Sequence, residues 1–541
     1  MEYWDLYNYN GLKKKKKAIR GSKLNNDEFH LVVNAWIVND KGEFLITQRS
    51  ANKSHPLMWE CTGGSALMGE TSLQAAIREV NEELGLDVSG KDAIFIGESR
   101  RFYENCPDIL HVWLFKDNSD LNKVKIQVEE VNDVMWASRE TILSLFNDNK
   151  FEANALFNKI LDYNLETNVY YVGFNANNAI CNENFFDGMI TLNPNNEKGN
   201  IFYTKDIIRD TSSTVFLDNY ANYLNDTMLS LSNENKNTVF LAFNKKINNI
   251  LKNKDNLNIL SEKNYNLIDN LNNKKYTREL LSGKVPMLPM HWIDKTISFD
   301  DAKKMVKGNN VVIQGKTGSG GNNTFFVDSL EKFNEYSSEC NNEYYLSKYI
   351  SHLPVNVTVI VNEYNDIILP LSVQLIEKKN DRFKYVGADF IYSQTLDEKA
   401  IYQIKKFTNV IINEVKKMNY CGILGIDFII DNNDNVYFME INPRFQSSSF
   451  IINNYLSKYC STSIAELHYF AITGKYIGNT YLDKIDNSFV NCFSTTDYKE
   501  FKYYKILKNG FYKKNKSSYF RKIFDYSILK NYNFEKRNKD K

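Results

Sequence analysis

The chain has 541 residues, 43% of them hydrophobic and 25% charged, with a formal net charge of +1. That describes a multidomain globular protein with ample core and excludes a fibrous or disordered chain. Seven scattered cysteines (Cys61, Cys106, Cys181, Cys340, Cys421, Cys460, Cys492) with no C-x-x-C pair argue against a disulfide framework and a zinc site. No stretch reaches 18 consecutive apolar residues and MEYWDLYNYN lacks a signal-peptide pattern, so the expected location is cytoplasmic. Alternating apolar residues predict strands at 30–38 and 43–48, and WECTGG at 59–64 leads toward a helix.

Residues 64–86, GSALMGETSLQAAIREVNEELGL, are the most informative stretch. Thr71 followed by Gln74 reads as a capping box, Leu73, Ala76, Ile77, Val80 and Leu84 supply an apolar face, and Gly85 ends the helix. On that helix Glu79, Glu82 and Glu83 fall at i, i+3 and i+4, which puts three carboxylates on one face. Like charges that close repel, and a hard cation such as Mg²⁺ among them removes the cost. Gly64, Glu70, Arg78, Glu79, Val80, Glu82, Glu83, Gly85 and Leu86 satisfy every fixed position of G-x5-E-x7-R-E-U-x-E-E-x-G-U, where U is aliphatic.

The stretch resembles the Nudix box. The resemblance implies a hydrolase domain, an α/β/α sandwich with a mixed sheet, acting on a nucleoside diphosphate linked to a moiety X with Mg²⁺ or Mn²⁺. By position Glu79, Glu82 and Glu83 are then metal ligands with Glu70 assisting, and Glu82 and Glu83 double as catalytic carboxylates. Which one serves as base varies within the family. Arg78 is expected to pair with a carboxylate. The opening residues resemble one bacterial Nudix subgroup, in which a polar hairpin turn takes the place of the lysines at 13–17; a solvated turn is therefore expected there rather than a nucleic-acid or membrane contact. Further strands are expected at 93–96 and 111–115. His30 and His111 each open an apolar strand and read as core or rim residues. Helices at 140–146 and 154–161 close the first domain.

Beyond it, VYYVGF at 169–174 and VFLAF at 239–243 read as buried strands of a small α/β domain without a G-x-G-x-x-G fingerprint. NKKYTRELL at 273–281 predicts a helix. VVIQGKTGSGG at 311–321 is a strand entering a glycine-rich loop; it is no P-loop, because position 310 is Asn where that motif needs Gly. Three further strands are expected at 344–349, 357–361 and 367–371. In CGILGIDFIIDNNDNVYFMEINPRFQ at 421–446, Asp427 and Glu440 sit in two apolar strands joined by DNND, with Asn442 pointing as Glu440 does. Carboxylates in apolar strands are costly unless paired, and Mg²⁺ on nucleotide phosphates pairs them.

From about 165 to 475 the chain resembles the ATP-grasp superfamily. The resemblance implies a preceding α/β lobe and a two-lobed α+β fold that binds ATP and makes an acyl phosphate for an amine to attack. Carried over by position, Asp427, Glu440 and Asn442 bind Mg²⁺ and Arg444 stabilises the transferring phosphoryl group. Lys274 matches a lysine that reaches ATP, and Ser319, Gly320 and Gly321 match the phosphate-covering loop, with Lys316 nearby. Two positions depart from the pattern. Gln314 stands where many members have lysine, and Ser347 and Lys348 stand where an acidic residue often holds the ribose.

From 501 to 541 there are 13 Lys and Arg against Asp525, Glu535 and Asp540. This basic, aromatic tail suits RNA, an anionic surface or an acidic partner, and the favoured expectation is a solvated helical appendage packed on the ATP-grasp lobe. The α/β and α+β chain thus divides into a Nudix domain (1–162), a pre-ATP-grasp domain (163–255), an ATP-grasp domain (256–478) and the tail (479–541). The expected function is Nudix hydrolysis joined to ATP-dependent carboxylate–amine ligation. The rival readings are a degenerate, nucleotide-sensing ATP-grasp half and a non-catalytic nucleotide-dependent platform.

Overall fold

The computed structural model describes residues 2–524 except positions 26, 155, 164, 166, 244, 351, 380, 391 and 447 and the stretches 175–184, 193–199, 203–211, 252–256, 262–264, 316–322, 479–489, 495–505 and 515–516. The chain forms two compact units. One comprises Met1–Ser261, Asn362–Ile367 and Asn453–Leu482; the other comprises Glu262–Val361, Ile368–Ile452 and Asp483–Lys541.

In the first unit the seven-stranded sheet runs Trp59–Glu60, Phe44–Arg49, His30–Val38, Asp108–Lys116, Ala93–Arg101, with Thr62–Ser65 and Val131–Ala137 paired alongside. It is mixed, since His30–Val38 runs parallel to Asp108–Lys116 and antiparallel to Phe44–Arg49. Period-two alternation builds both faces from one strand. Leu31, Val33, Ala35 and Ile37 join Ala75, Ala76, Val80 and Leu84 of the helix Ser72–Leu84 in one core, while Trp36 and Val38 join Ile142, Phe157 and Ile160 of the closing helices in the other. The sandwich therefore has one helix layer on each face.

The lysine run is not a turn. Lys13–Ile19 is a strand antiparallel to Tyr3–Tyr7, and the reversal lies at residues 8–12, where the Asn8 side chain accepts from the Leu12 amide at 2.9 Å and Gly11 has φ 74°. Acids within reach permit this: Lys13 meets Asp5 at 2.5 Å, Lys14 meets Asp27 at 2.8 Å and Lys16 meets Glu28 at 2.7 Å. The small α/β domain follows as five parallel strands in the order Asn200–Phe202, Gly188–Thr191, Val169–Val172, Val239–Ala242, Ile259–Ser261. The helix Ile464–Ile472 is buried at all nine positions, as its apolar circumference demands.

The second unit is built on a sheet whose main path runs from Met290–Ile293 through Tyr344–Lys348, Val311–Gly315, Thr324–Val327, Arg382–Asp389, Ser372–Lys379, Leu353–Val361 and Gly422–Ile430 to Val436–Asn442. It carries two separate cores. Phe299, Ala302, Val311, Ile313, Phe333 and Leu346 form one; Val355, Val357, Ile411, Leu424, Ile426 and Phe438 belong to the other. The tail also departs from expectation: Ile506–Lys514 and Ser517–Phe524 form a hairpin whose second strand pairs with Val490–Ser494, itself paired with Arg382–Asp389. Its Ile, Tyr and Phe content suits strands. Among the described residues no helix is long and apolar enough to cross a membrane.

Candidate active sites

Ser72–Leu84 opens with the full capping box of Thr71 and Gln74 and closes on Gly85 in the left-handed conformation at φ 64°. These ends bound the helix, and its packing through Ala75, Ala76, Val80 and Leu84 sets the direction of its carboxylates. Glu79 and Glu83 turn inward, each only 7% exposed, and Glu82 turns outward. Gly64 is required by this placement: a Cβ there would lie 2.4 Å from Glu79 Oε1. Arg78 holds the set. Its Nε donates to Glu70 Oε1 at 2.8 Å, Nη1 to Glu79 Oε1 at 2.9 Å and to Glu82 Oε2 at 2.8 Å, and Nη2 to the Ser65 carbonyl at 3.1 Å. Glu70 also accepts from the Leu67 amide at 2.7 Å.

Burial pushes Glu83 up to about 8, with the charges of Glu79 and Glu60 adding to it. Burial likewise raises Glu79, against the pull of Arg78. For Glu70 the hydrogen bonds from Arg78 and the Leu67 backbone outweigh burial and lower it. Among the described residues no three His, Cys, Asp or Glu side chains are gathered as a finished metal cage. The donor set nevertheless fits a divalent cation: hard carboxylate oxygens from one helix, with Glu79 and Glu83 buried and Glu83 raised by its acidic neighbours. Neither of the two strand histidines belongs to this set. His30 stacks on Trp4 at 3.9 Å and burial lowers it to about 4, and His111 faces Glu98 at 3.1 Å.

In the second unit the turn after Gly422–Ile430 is closed by Asp431, which accepts from the Asn433 and Asn435 amides at 2.9 Å. The resulting register sets Asp427 opposite Glu440 and Gly425 opposite Asn442. Asn442 Nδ2 donates to Asp427 Oδ2 at 3.0 Å and to Glu440 Oε1 at 3.4 Å, while its Oδ1 accepts from Arg444 at 2.9 Å. Lys274, first residue of the helix Lys274–Leu280 capped by Asn273, forms an ion pair with Glu440. Burial and then the Glu440 charge raise Asp427 to about 7; burial acts the same way on Glu440, but Lys274, Asn442 and Asp427 together outweigh it and lower that carboxyl. Two facing carboxylates with one cationic neighbour also suit a divalent cation.

Gln314 Nε2 donates to the Thr324 hydroxyl at 3.3 Å on the adjacent strand. Lys316, Ser319, Gly320 and Gly321 lie outside the described residues. Two donors to Asp427, and a third residue that holds one of them, escaped the sequence reading. Asn356 Nδ2 donates to Asp427 Oδ1 at 2.6 Å and to Gln446 Oε1 at 3.1 Å, and Gln374 Nε2 donates to the same Asp427 oxygen at 3.0 Å. The available signal was in LPVNVTVIV, where Val355, Val357, Val359 and Val361 alternate on one face and Asn356 is a polar residue on the other.

An uncharacterised Nudix hydrolase of Listeria innocua is 38% identical over 175 residues, which is 32% of this chain and all of the relative. The chain belongs to the Nudix hydrolase family. The NUDIX domain model matches residues 28–158, and a model described as an ATP-grasp domain matches residues 271–448. This Nudix protein is also 29% identical over 122 residues to an isopentenyl-diphosphate Delta-isomerase of Escherichia coli, covering 21% of this chain and 64% of the isomerase. Among solved structures, N5-carboxyaminoimidazole synthetase from Staphylococcus aureus aligns at 16% identity and a TM-score of 0.44, over 68% of this chain and 96% of that one. Nudix and ATP-grasp domains thus occur in one chain, and both are families of nucleotide-handling enzymes.

Proposed function

We propose a two-site enzyme whose Nudix half hydrolyses a nucleoside diphosphate linked to a moiety X, and whose ATP-grasp half joins a small carboxylate to an amine at the expense of ATP. What carries the reading is the same device in both halves: carboxylates brought together beside a single cationic side chain, Arg78 in one and Lys274 in the other. Mg²⁺ or Mn²⁺, when bound, supplies charge neutralisation for phosphate oxygens and an activated water. In the Nudix half Glu79, Glu82 and Glu83 would hold the ion. Arg78 aims Glu70, Glu79 and Glu82; the water oxygen attacks one phosphorus of the diphosphate, the bridging P–O bond breaks so that the other phosphate leaves, and one of these carboxylates takes the water's proton.

In the ATP-grasp half Asp427, Glu440 and Asn442 would hold the metal, and Lys274 and Arg444 would bring positive charge to the phosphates. The substrate carboxylate oxygen attacks the γ-phosphorus and ADP departs. The amine nitrogen then attacks the acyl carbon, phosphate leaves, and the nitrogen gives up a proton. Substrate positioning and electrostatic complementarity dominate such a transfer. The test is ADP release with pools of amino acids and small carboxylic acids, beside Mg²⁺-dependent hydrolysis of a nucleoside diphosphate-X panel. The hydrogen bond between Gln314 and Thr324 favours a second reading, an ATP-grasp half that senses nucleotide, because that amide is engaged by the protein itself. ATP binding with no ADP release from any pool supports the sensor.

A further inference from the structure

Asp427 does not stand alone in its strand pair. Across four adjacent strands the register lines up one polar row. Ser372 is opposite Asn356, Asn356 is opposite Asp427, and Asp427 is opposite Glu440. Directly opposed residues share a face, and Gln374, two residues beyond Ser372, shares it too. The residues that alternate with this row, Val355, Val357 and Ile426, point into the apolar core behind it. The row is therefore held rigidly by the sheet.

Its hydrogen bonds divide the Asp427 carboxylate. Oδ1 accepts from Asn356 at 2.6 Å and from Gln374 at 3.0 Å, whereas Oδ2 accepts from Asn442 through the amide that also reaches Glu440, with which the Asp427 carboxyl is itself hydrogen-bonded. Asn356 is itself pinned: it is 3% exposed and its Nδ2 also meets Gln446 Oε1, which lies so close over Gly425 that a Cβ there would stand 2.0 Å away. An oxygen with two amide protons on it has little lone-pair capacity left. We propose that Asn356 and Gln374 are positioning residues that commit Asp427 Oδ1 to the protein, so that Asp427 offers the metal ion a single oxygen, Oδ2, on the Glu440 side. The proposal rests on the reading of Asp427 and Glu440 as metal ligands.

The experiment titrates Mn²⁺ into the full-length protein with ADP, followed by electron paramagnetic resonance, and separately titrates ADP in EDTA by calorimetry. Gln374→Met and Asn356→Leu keep side-chain volume and remove the donors. Each should weaken Mn²⁺ by about 10–100-fold, the usual cost of losing a group that orients a ligand, and leave metal-free ADP affinity within about twofold. Asn356 is buried and its variant is exposed to misfolding; Gln374 is half-buried, and Gln374→Met decides the matter alone. Wild-type Mn²⁺ affinity in Gln374→Met overturns the proposal, and so does an equal loss of metal and ADP affinity. Failure of the wild type to bind either ligand instead removes the nucleotide-site reading beneath it.

Discussion

The two carboxylate sets are assembled by opposite routes. The Nudix site is local: Gly64, Glu70, Arg78, Glu79, Glu82 and Glu83 lie within 20 consecutive positions, and one helix with fixed ends orients most of them. The ATP-grasp site draws Lys274, Asn356, Gln374, Asp427 and Glu440 from five separate elements. Their cations differ accordingly. Arg78, on the same helix, spreads one guanidinium over three carboxylates in a fixed fork, whereas Lys274 is a point charge on Glu440 delivered by another helix. A local site is rigid by helix geometry, and an assembled site is only as exact as its sheet register.

The largest effects should come from the carboxylates. Glu83→Gln or Glu82→Gln is expected to lower Mg²⁺-dependent hydrolysis by roughly a thousandfold with the fold intact, since a charge at the metal site is removed. Unchanged turnover in both variants would displace the active centre from this helix. Glu440→Ala should in the same way abolish substrate-dependent ADP formation while weakening ATP binding far less, measured by a coupled assay beside calorimetry.

Next comes the glycine packing at the local site. Gly64→Ala sets a methyl group against Glu79 and should cost about 1–3 kcal/mol of stability in thermal or denaturant unfolding. Turnover should fall by roughly tenfold or more as Glu79 shifts. Wild-type stability together with wild-type turnover would show that the contact is dispensable.

A pH series separates the halves further. Glu83 rises from 4.5 to about 8 in the folded chain through burial and then its acidic neighbours. The folded state therefore holds a proton that the unfolded state releases, so this stabilisation is full below pH 4.5 and is lost as pH rises through about 8. In chelator the Nudix melting transition should fall across that window, and Glu83→Gln should flatten the fall. An identical slope in the variant assigns the pH dependence elsewhere.

The smallest effects are expected away from both carboxylate sets. Gln314→Lys should leave ATP affinity unchanged or raise it by up to roughly tenfold; if only this variant binds ATP, the wild-type half is degenerate. Deleting the residues after Gly510 removes the strand Ser517–Phe524 yet should keep Nudix turnover within about twofold. Salt-sensitive binding to RNA or anionic vesicles that disappears on deletion would give the tail a role of its own.

The sequence by itself determined what depends on near neighbours. Thr71, Gln74 and Gly85 bound the helix, i, i+3 and i+4 spacing stacked Glu79, Glu82 and Glu83, and the DNND turn set Asp427 across from Glu440, because capping, helical pitch and a tight turn act over a few residues. Only the tertiary structure decided the rest. Glu79 and Glu83 face inward while Glu82 faces outward, because one side of the helix is covered by the sheet. The lysine run became a strand whose side chains meet Asp27 and Glu28, and the tail became a hairpin whose second strand pairs with Val490–Ser494. Asn356 and Gln374 reached Asp427 because strand order made neighbours of segments more than 50 residues apart, and strand order is set by which buried faces fit together, which no local pattern encodes.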